Sequence, residues 1–157
     1  MINRSRLKKS IFFIFFCVSS LSTTVSAQED IGSELPIDVR VLLIQEMIAI
    51  LGSTQTITDA MVRGEDEVVA REAQQIHDSF ILAQELTEEQ QQALISTASD
   101  EFLRKDEALH KMSATLAEAA RVGNKAEQRE IFSQMLNACV ACHTDHAAKR
   151  FPAFHQE

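Results

Sequence analysis

The sequence contains no tryptophan or tyrosine, and only four glycines and two prolines among its 157 residues. Glycine and proline mark tight turns and interrupt regular structure, so a fold of many short strands would need more of them. The chain also has no internal repeat and no low-complexity tract. These absences favour a helix-rich chain, and we expect the all-α fold class.

Basic residues are also scarce, with 15 Lys and Arg against 23 Asp and Glu and a formal net charge of −8. This balance argues against nucleic acid or an anionic membrane as a partner, and it favours protein partners with a basic docking face. An equally open interpretation is that the acidic residues only keep a secreted helical protein soluble. No paired carboxylates, nucleophile–base pair or phosphate loop can be placed, so we expect no enzyme.

The first 27 residues have the pattern of a secretory signal peptide. Four basic residues precede an apolar run at 11–18, and Val25-Ser26-Ala27 resembles a cleavage site. The alternative, a retained membrane anchor, is disfavoured because the apolar run is well short of the ~20 residues that a spanning helix needs. We therefore predict a periplasmic protein, outside the membrane after cleavage, whose mature chain 28–157 forms one domain. Cys17 would leave with the signal.

Apolar residues recur at steps of three and four along the rest of the chain, which is the helical period. Turn signals at Gly64, Thr87 and Gly123 divide this pattern into four helices, at 36–63, 65–86, 88–122 and 125–148, and the third is expected to bend near 96–99. Short connections favour an up-down-up-down four-helix bundle, in which the first helix mainly covers the fourth.

The most specific motif is Cys139-Val140-Ala141-Cys142-His143 on the fourth predicted helix. C-x-x-C-H is the attachment sequence of a c-type haem, with two thioether bonds and an axial histidine. Residues at i, i+3 and i+4 share one helical face, so one face can hold the haem edge and reach its iron. The alternatives are a surface disulfide, or a zinc or copper site that also uses His146.

A motif of this kind near the C-terminus of a predicted helical bundle resembles the class II cytochromes c, the cytochrome c′ family. The segments 35–47 and 60–66 also resemble bacterial members, and the resemblance extends over most of residues 34–154. It implies one covalent haem c, with Cys139 and Cys142 as thioether cysteines and His143 as the axial iron ligand, and a possible homodimer. The family usually continues the motif with an aromatic residue and an arginine, where this chain has His146 and Ala147.

Two haem functions stay open at this point: electron transfer between periplasmic redox proteins, and binding of nitric oxide or carbon monoxide at an open distal site. Of the inward positions Leu43, Met47 and Ile50 on the first helix, only Met47 can coordinate iron, so it is the candidate sixth ligand. Arg40 is a candidate partner of a haem propionate. The other histidines are expected at half-exposed, edge or surface positions: His77, His110, His146 and His155.

Overall fold

The computed structural model describes residues 30–81 and 86–155, so the predicted signal peptide and Cys17 lie outside the described residues. Within these ranges the chain forms helices and no strand, which confirms the all-α class. An isolated antiparallel bridge joins Asp30 to Ala147. The helices are α1 (Ile31–Glu34), α2 (Ile37–Arg63), α3 (Asp66–Asp78), α4 (Glu88–Thr97), α5 (Asp100–Arg121) and α6 (Lys125–His146), followed by a 3-10 turn at Pro152–His155.

Helix α2 closely matches its prediction and ends at a left-handed glycine. Gly64 has φ 77°, and its amide donates to the carbonyls of Ala60 and Met61. That conformation suits glycine because it has no Cβ. In the second half of α2, the hydroxyls of Thr54, Thr56 and Thr58 each donate a hydrogen bond to the carbonyl four residues earlier, so these polar side chains are satisfied within the helix.

The second predicted helix is shorter than expected. The prediction placed its end near Leu86, but α3 ends at Asp78, where the amide of Ser79 donates to the carbonyls of Gln75 and Ile76. Ile81 then leaves the helical path and is fully buried in an apolar cluster with residues of α1, α2 and α4. Helix α1 lies before the first predicted helix and was not predicted. It is held by the same cluster through buried Ile31.

The third predicted helix is two helices. Thr87 and Gln90 form the expected capping box at the start of α4, with both reciprocal hydrogen bonds present. The chain then turns at Ala98, and the Ser99 hydroxyl accepts a hydrogen bond from the amide of Phe102 at 3.1 Å. Because an N-cap residue has non-helical backbone angles, the expected bend near 96–99 is a complete break.

Helix α5 is the centre of the packing: it contacts α3 and α6 most extensively, while α2 packs against α3 and, less extensively, α4. The sequence predicted that the first helix mainly covers the fourth. This prediction is wrong, because α5 is the principal neighbour of α6. The reason is the apolar face of α6, whose Ile131, Phe132 and Met135 share one buried cluster with Leu109 and Leu116 of α5. Residues from the middle and second half of α2 reach the same cluster through their side chains.

Candidate functional site

The motif lies in the last two turns of α6, which runs without interruption to His146. Cys139, Cys142 and His143 are each half-buried, whereas Val140 is 49% exposed. The i, i+3, i+4 spacing thus turns the three chemically active side chains partly inward, as the sequence predicted. Cys139 packs against the apolar cluster that Ile131, Phe132 and Met135 share with α5. This face of α6 therefore extends from the buried core to the surface.

Both thiols are free in this structure, and both are held in the protonated form. Burial raises the pKa of Cys139. Burial, together with the charge of Asp106 on α5, raises the pKa of Cys142 to about 11. A thiolate, rather than a thiol, ligates metals and attacks disulfides. These surroundings therefore do not favour a reactive redox pair.

The imidazole of His143 stacks on the ring of Phe151, with centroids 4.3 Å apart and an interplanar angle of 17°. Phe151 follows α6 and folds back onto it through this contact. Burial lowers the pKa of His143, so its ring is neutral at neutral pH. Neutral imidazole has a lone pair to donate and is the form in which histidine binds a metal.

His146 was expected at an edge or on the surface and is instead 4% exposed. Its ring packs edge-on against Phe102 of α5, at a centroid distance of 5.6 Å and an angle of 89°. The aromatic contact explains the burial, because Phe102 fills the space beside the last turn of α6. Across residues 30–81 and 86–155, no group of three or more His, Cys, Asp or Glu side chains is arranged to hold a metal ion. The zinc or copper alternative thus gains no support from the geometry.

The two residues predicted on the opposite side of the cofactor both lie on α2. Met47 is half-buried and packs against both apolar clusters, at the edge of the buried face formed by Leu43 and Ile50. The guanidinium of Arg40 donates to the backbone carbonyls of Ser33 and Leu35, at 3.0 and 2.9 Å. Their roles as sixth ligand and propionate partner stay predictions.

A buried charged cluster beside the motif was missed from the sequence. Its members are Glu46 of α2 with Asp106 and His110 of α5, all at most 5% exposed. His110 Nε2 lies 3.3 Å from Glu46 Oε1 and 3.7 Å from Asp106 Oδ1. His110 Nδ1 lies 2.6 Å from the carbonyl oxygen of Ile76, so the ring bridges three helices.

The prediction that His110 is a surface residue is therefore wrong, and electrostatics explain its burial. Desolvation alone would lower the pKa of His110, but the contacts with Asp106 and Glu46 outweigh it and raise that pKa to about 9. The imidazolium thus compensates two carboxylates that the interior would otherwise not accept. Burial raises the pKa of Glu46, because desolvation outweighs the hydrogen bond with His110.

One signal in the sequence could have revealed this cluster. The inward residues of α5 include Phe102, Leu109 and Leu116, which are seven residues apart. A continuous helical stripe also needs one inward residue within each interval of seven. Those residues are Asp106 and Ser113, and both are buried. Polar residues at stripe positions indicate buried partners, because an unpaired polar group in the core is costly.

Comparison with protein-family models, with curated proteins and with solved structures finds no match to this chain. In the described part of the chain, no helix combines the length and the apolar character that crossing a membrane requires.

Proposed function

We propose that this chain is a periplasmic c-type cytochrome that carries one covalently bound haem and transfers single electrons between redox proteins. The observation that carries the proposal is the arrangement of Cys139, Cys142 and His143 on one half-buried face of an unbroken helix. C-x-x-C-H is selective for haem attachment, and the helical spacing lets two thioether bonds and one axial bond form from a single face.

The residues present fit a haem in three respects. The thiols of Cys139 and Cys142 are protonated and free, the state from which thioethers to vinyl groups form. His143 is neutral and oriented by its stacking on Phe151. The neighbouring cluster of half-buried and buried apolar residues would exclude water from a bound porphyrin. When bound, the haem supplies a one-electron couple at its iron. The chain's part is to attach it, orient it and shield it, and we assign the chain no catalytic reaction.

We further propose that the helices form an up-down-up-down four-helix bundle, with α4 and α5 together serving as the third member. Successive members are neighbours, because α2 packs against α3, α3 against α5 and α5 against α6. Bundles place cofactors between facing helices. In the described part of the chain, α2 and α6 are not one of the extensively contacting helix pairs, which agrees with a cofactor held between them by the motif on one side and Met47 on the other.

Met47 as the sixth iron ligand would favour the reduced iron and suit an electron carrier. The competing function is reversible binding of nitric oxide or carbon monoxide at an open site, and one observation favours it. Met47 lies at the edge of the buried face of α2 rather than at its centre, which Leu43 and Ile50 occupy. The electron-transfer function also implies partners with a basic docking face, since the chain's formal net charge is −8.

The test is the absorption spectrum, in both oxidation states, of the protein expressed with its N-terminus and purified from the periplasm. We expect haem bands that stay with the polypeptide after denaturation. A Cys139→Ser, Cys142→Ser double variant should lose them. Val140→Ser, an exposed position between the two cysteines, should keep them and is the matched control. Equal haem staining of the double variant and the wild type would refute covalent attachment through this motif.

A further inference from the structure

The buried charged cluster of Glu46, Asp106 and His110 has no part in the function proposed so far. In the described part of the chain, Glu46 and Asp106 are the only buried carboxylates, and each is at most 5% exposed. Asp106 Oδ2 is buried and accepts no hydrogen bond, so His110 compensates this carboxylate only in part. With His110 protonated, the two carboxylates and the imidazolium together carry one net negative charge inside the protein.

The register of α5 against α6 brings this cluster beside the haem-attachment motif. Near the start of α5, Phe102 contacts His146 at the end of α6, with the ring centroids 5.6 Å apart. The two helices therefore run antiparallel. Asp106 lies one turn after Phe102, and Cys142 lies one turn before His146, so Asp106 is at the level of Cys142. In agreement, the charge of Asp106 contributes to the raised pKa of the Cys142 thiol.

The same cluster reaches the other helix on which the proposed cofactor site depends. His110 Nε2 lies 3.3 Å from Glu46 Oε1, and Glu46 directly precedes Met47, the candidate sixth ligand, on α2. One carboxylate thus lies beside the attachment motif and the other beside the opposite wall of the site. A haem bound between α2 and α6 would lie within the electrostatic reach of both.

We infer, on the basis of the proposed function, that the Glu46–Asp106–His110 cluster lowers the reduction potential of the haem, with Asp106 as the main source of the effect. In the proposed function one redox protein donates an electron and another removes it. No bond forms or breaks, so the charge at the iron changes by one. A fixed negative charge nearby stabilises the more positive, oxidised state and therefore opposes reduction.

Burial distinguishes Asp106 from the carboxylates on the surface. Water and salt screen exposed charges, whereas buried charges are screened much less. The effective dielectric constant of the interior is also several-fold lower than that of water. Glu107, the next residue along α5, has a side chain that is 49% exposed and pairs with Lys111 at 2.7 Å. Asp106 and Glu107 therefore form a matched pair that carries the same charge and differs in burial.

The test is the reduction potential of the haem-loaded protein at pH 6, measured by optical titration with redox mediators. At this pH, below the ordinary histidine pKa of 6.5, His110 keeps its proton beside Glu46. Asp106→Asn should shift the redox equilibrium at least about tenfold towards ferrous iron, which for one electron is a rise of about 59 mV. Asp106→Glu keeps the charge and should stay within about threefold of the wild type, and the control Glu107→Gln within about twofold.

Further measurements separate a charge effect from a structural one. The shift caused by Asp106→Asn should persist in about 1 M NaCl, which screens exposed charges far more than buried ones. The visible absorption spectrum should keep the wild-type spin state, because the axial ligands are unchanged. Glu46→Gln neutralises the same cluster from α2 and should also raise the potential, so the test does not depend on the folding of one variant.

A potential that neither Asp106→Asn nor Glu46→Gln raises would overturn the inference, as would equal shifts in Asp106→Asn and Glu107→Gln. A shift that Asp106→Glu shares, or one that accompanies a change of spin state, would also overturn it, since either result indicates a structural cause. A polypeptide without covalent haem would refute the proposed function and the inference together. A haem protein whose potential is insensitive to the cluster would refute the inference alone.

Discussion

Replacing His110 by glutamine should destabilise the fold in a strongly pH-dependent way. The ring lies 3.3 Å from a carboxylate oxygen of Glu46 and 3.7 Å from one of Asp106, and all three side chains are buried. A neutral amide of similar size leaves both carboxylates without a compensating charge. Breaking a buried ion pair by removing one partner is far more costly than losing a surface pair.

The magnitude follows from the pKa of His110, which rises from 6.5 to about 9 on folding. Each pKa unit corresponds to about 1.4 kcal/mol, so the protonated ring contributes roughly 3 kcal/mol to the free energy of unfolding. Because the pKa is raised by folding, this contribution is complete below pH 6.5 and is lost as the pH rises through about 9. We therefore expect His110→Gln to cost roughly 3 kcal/mol at pH 6.5 and much less above pH 9.

Urea unfolding of the wild type and the variant at a series of pH values measures this difference directly, since titrating groups outside the cluster contribute to both proteins alike. Glu107→Gln is the matched control, because Glu107 adjoins Asp106 but is exposed and pairs with Lys111 at 2.7 Å on the surface. Its cost should stay below about 0.5 kcal/mol at every pH. A cost of His110→Gln that is independent of pH, or below about 1 kcal/mol at pH 6.5, would refute the reasoning.

Three further outcomes are expected. Met47→Leu should convert a six-coordinate, low-spin haem to a high-spin form that binds carbon monoxide, and a wild-type spectrum that is already high-spin would rule Met47 out as a ligand. Ser99→Ala should lower the free energy of unfolding by about 1 kcal/mol, because the N-terminal cap of α5 is lost. The control Ser133→Ala, at an exposed position, should lower it by at most about 0.5 kcal/mol. Equal effects of the two variants would contradict the capping role of Ser99. Mass spectrometry of the periplasmic protein should give residues 28–157 plus one haem, whereas a retained N-terminus in the membrane fraction would contradict cleavage.

The local features of the chain were predictable from the sequence because each depends on neighbouring residues alone. The capping box at Thr87 and Gln90 and the left-handed end of α2 at Gly64 use side-chain and backbone chemistry within a few positions. The helical placement of Cys139, Cys142 and His143 needs only an uninterrupted helix and a spacing of three and four. The all-α class follows from the same helical period.

The tertiary structure decided what depends on partners distant in the chain. His110 is buried because Glu46, 64 positions earlier, and Asp106 supply opposite charges. The helical period of α5 indicates that Asp106 has a buried partner, but it does not identify Glu46 as a member of the cluster. Helix α3 ends at Asp78, and Ile81 beyond it is fully buried in a cluster with distant residues of α1, α2 and α4. For α2 the helical period does not show which face is buried, since apolar residues lie on two opposite faces. Only packing selected Leu43 and Ile50 for the core and left Ile44 and Ile48 outside, because burial depends on which neighbours are present.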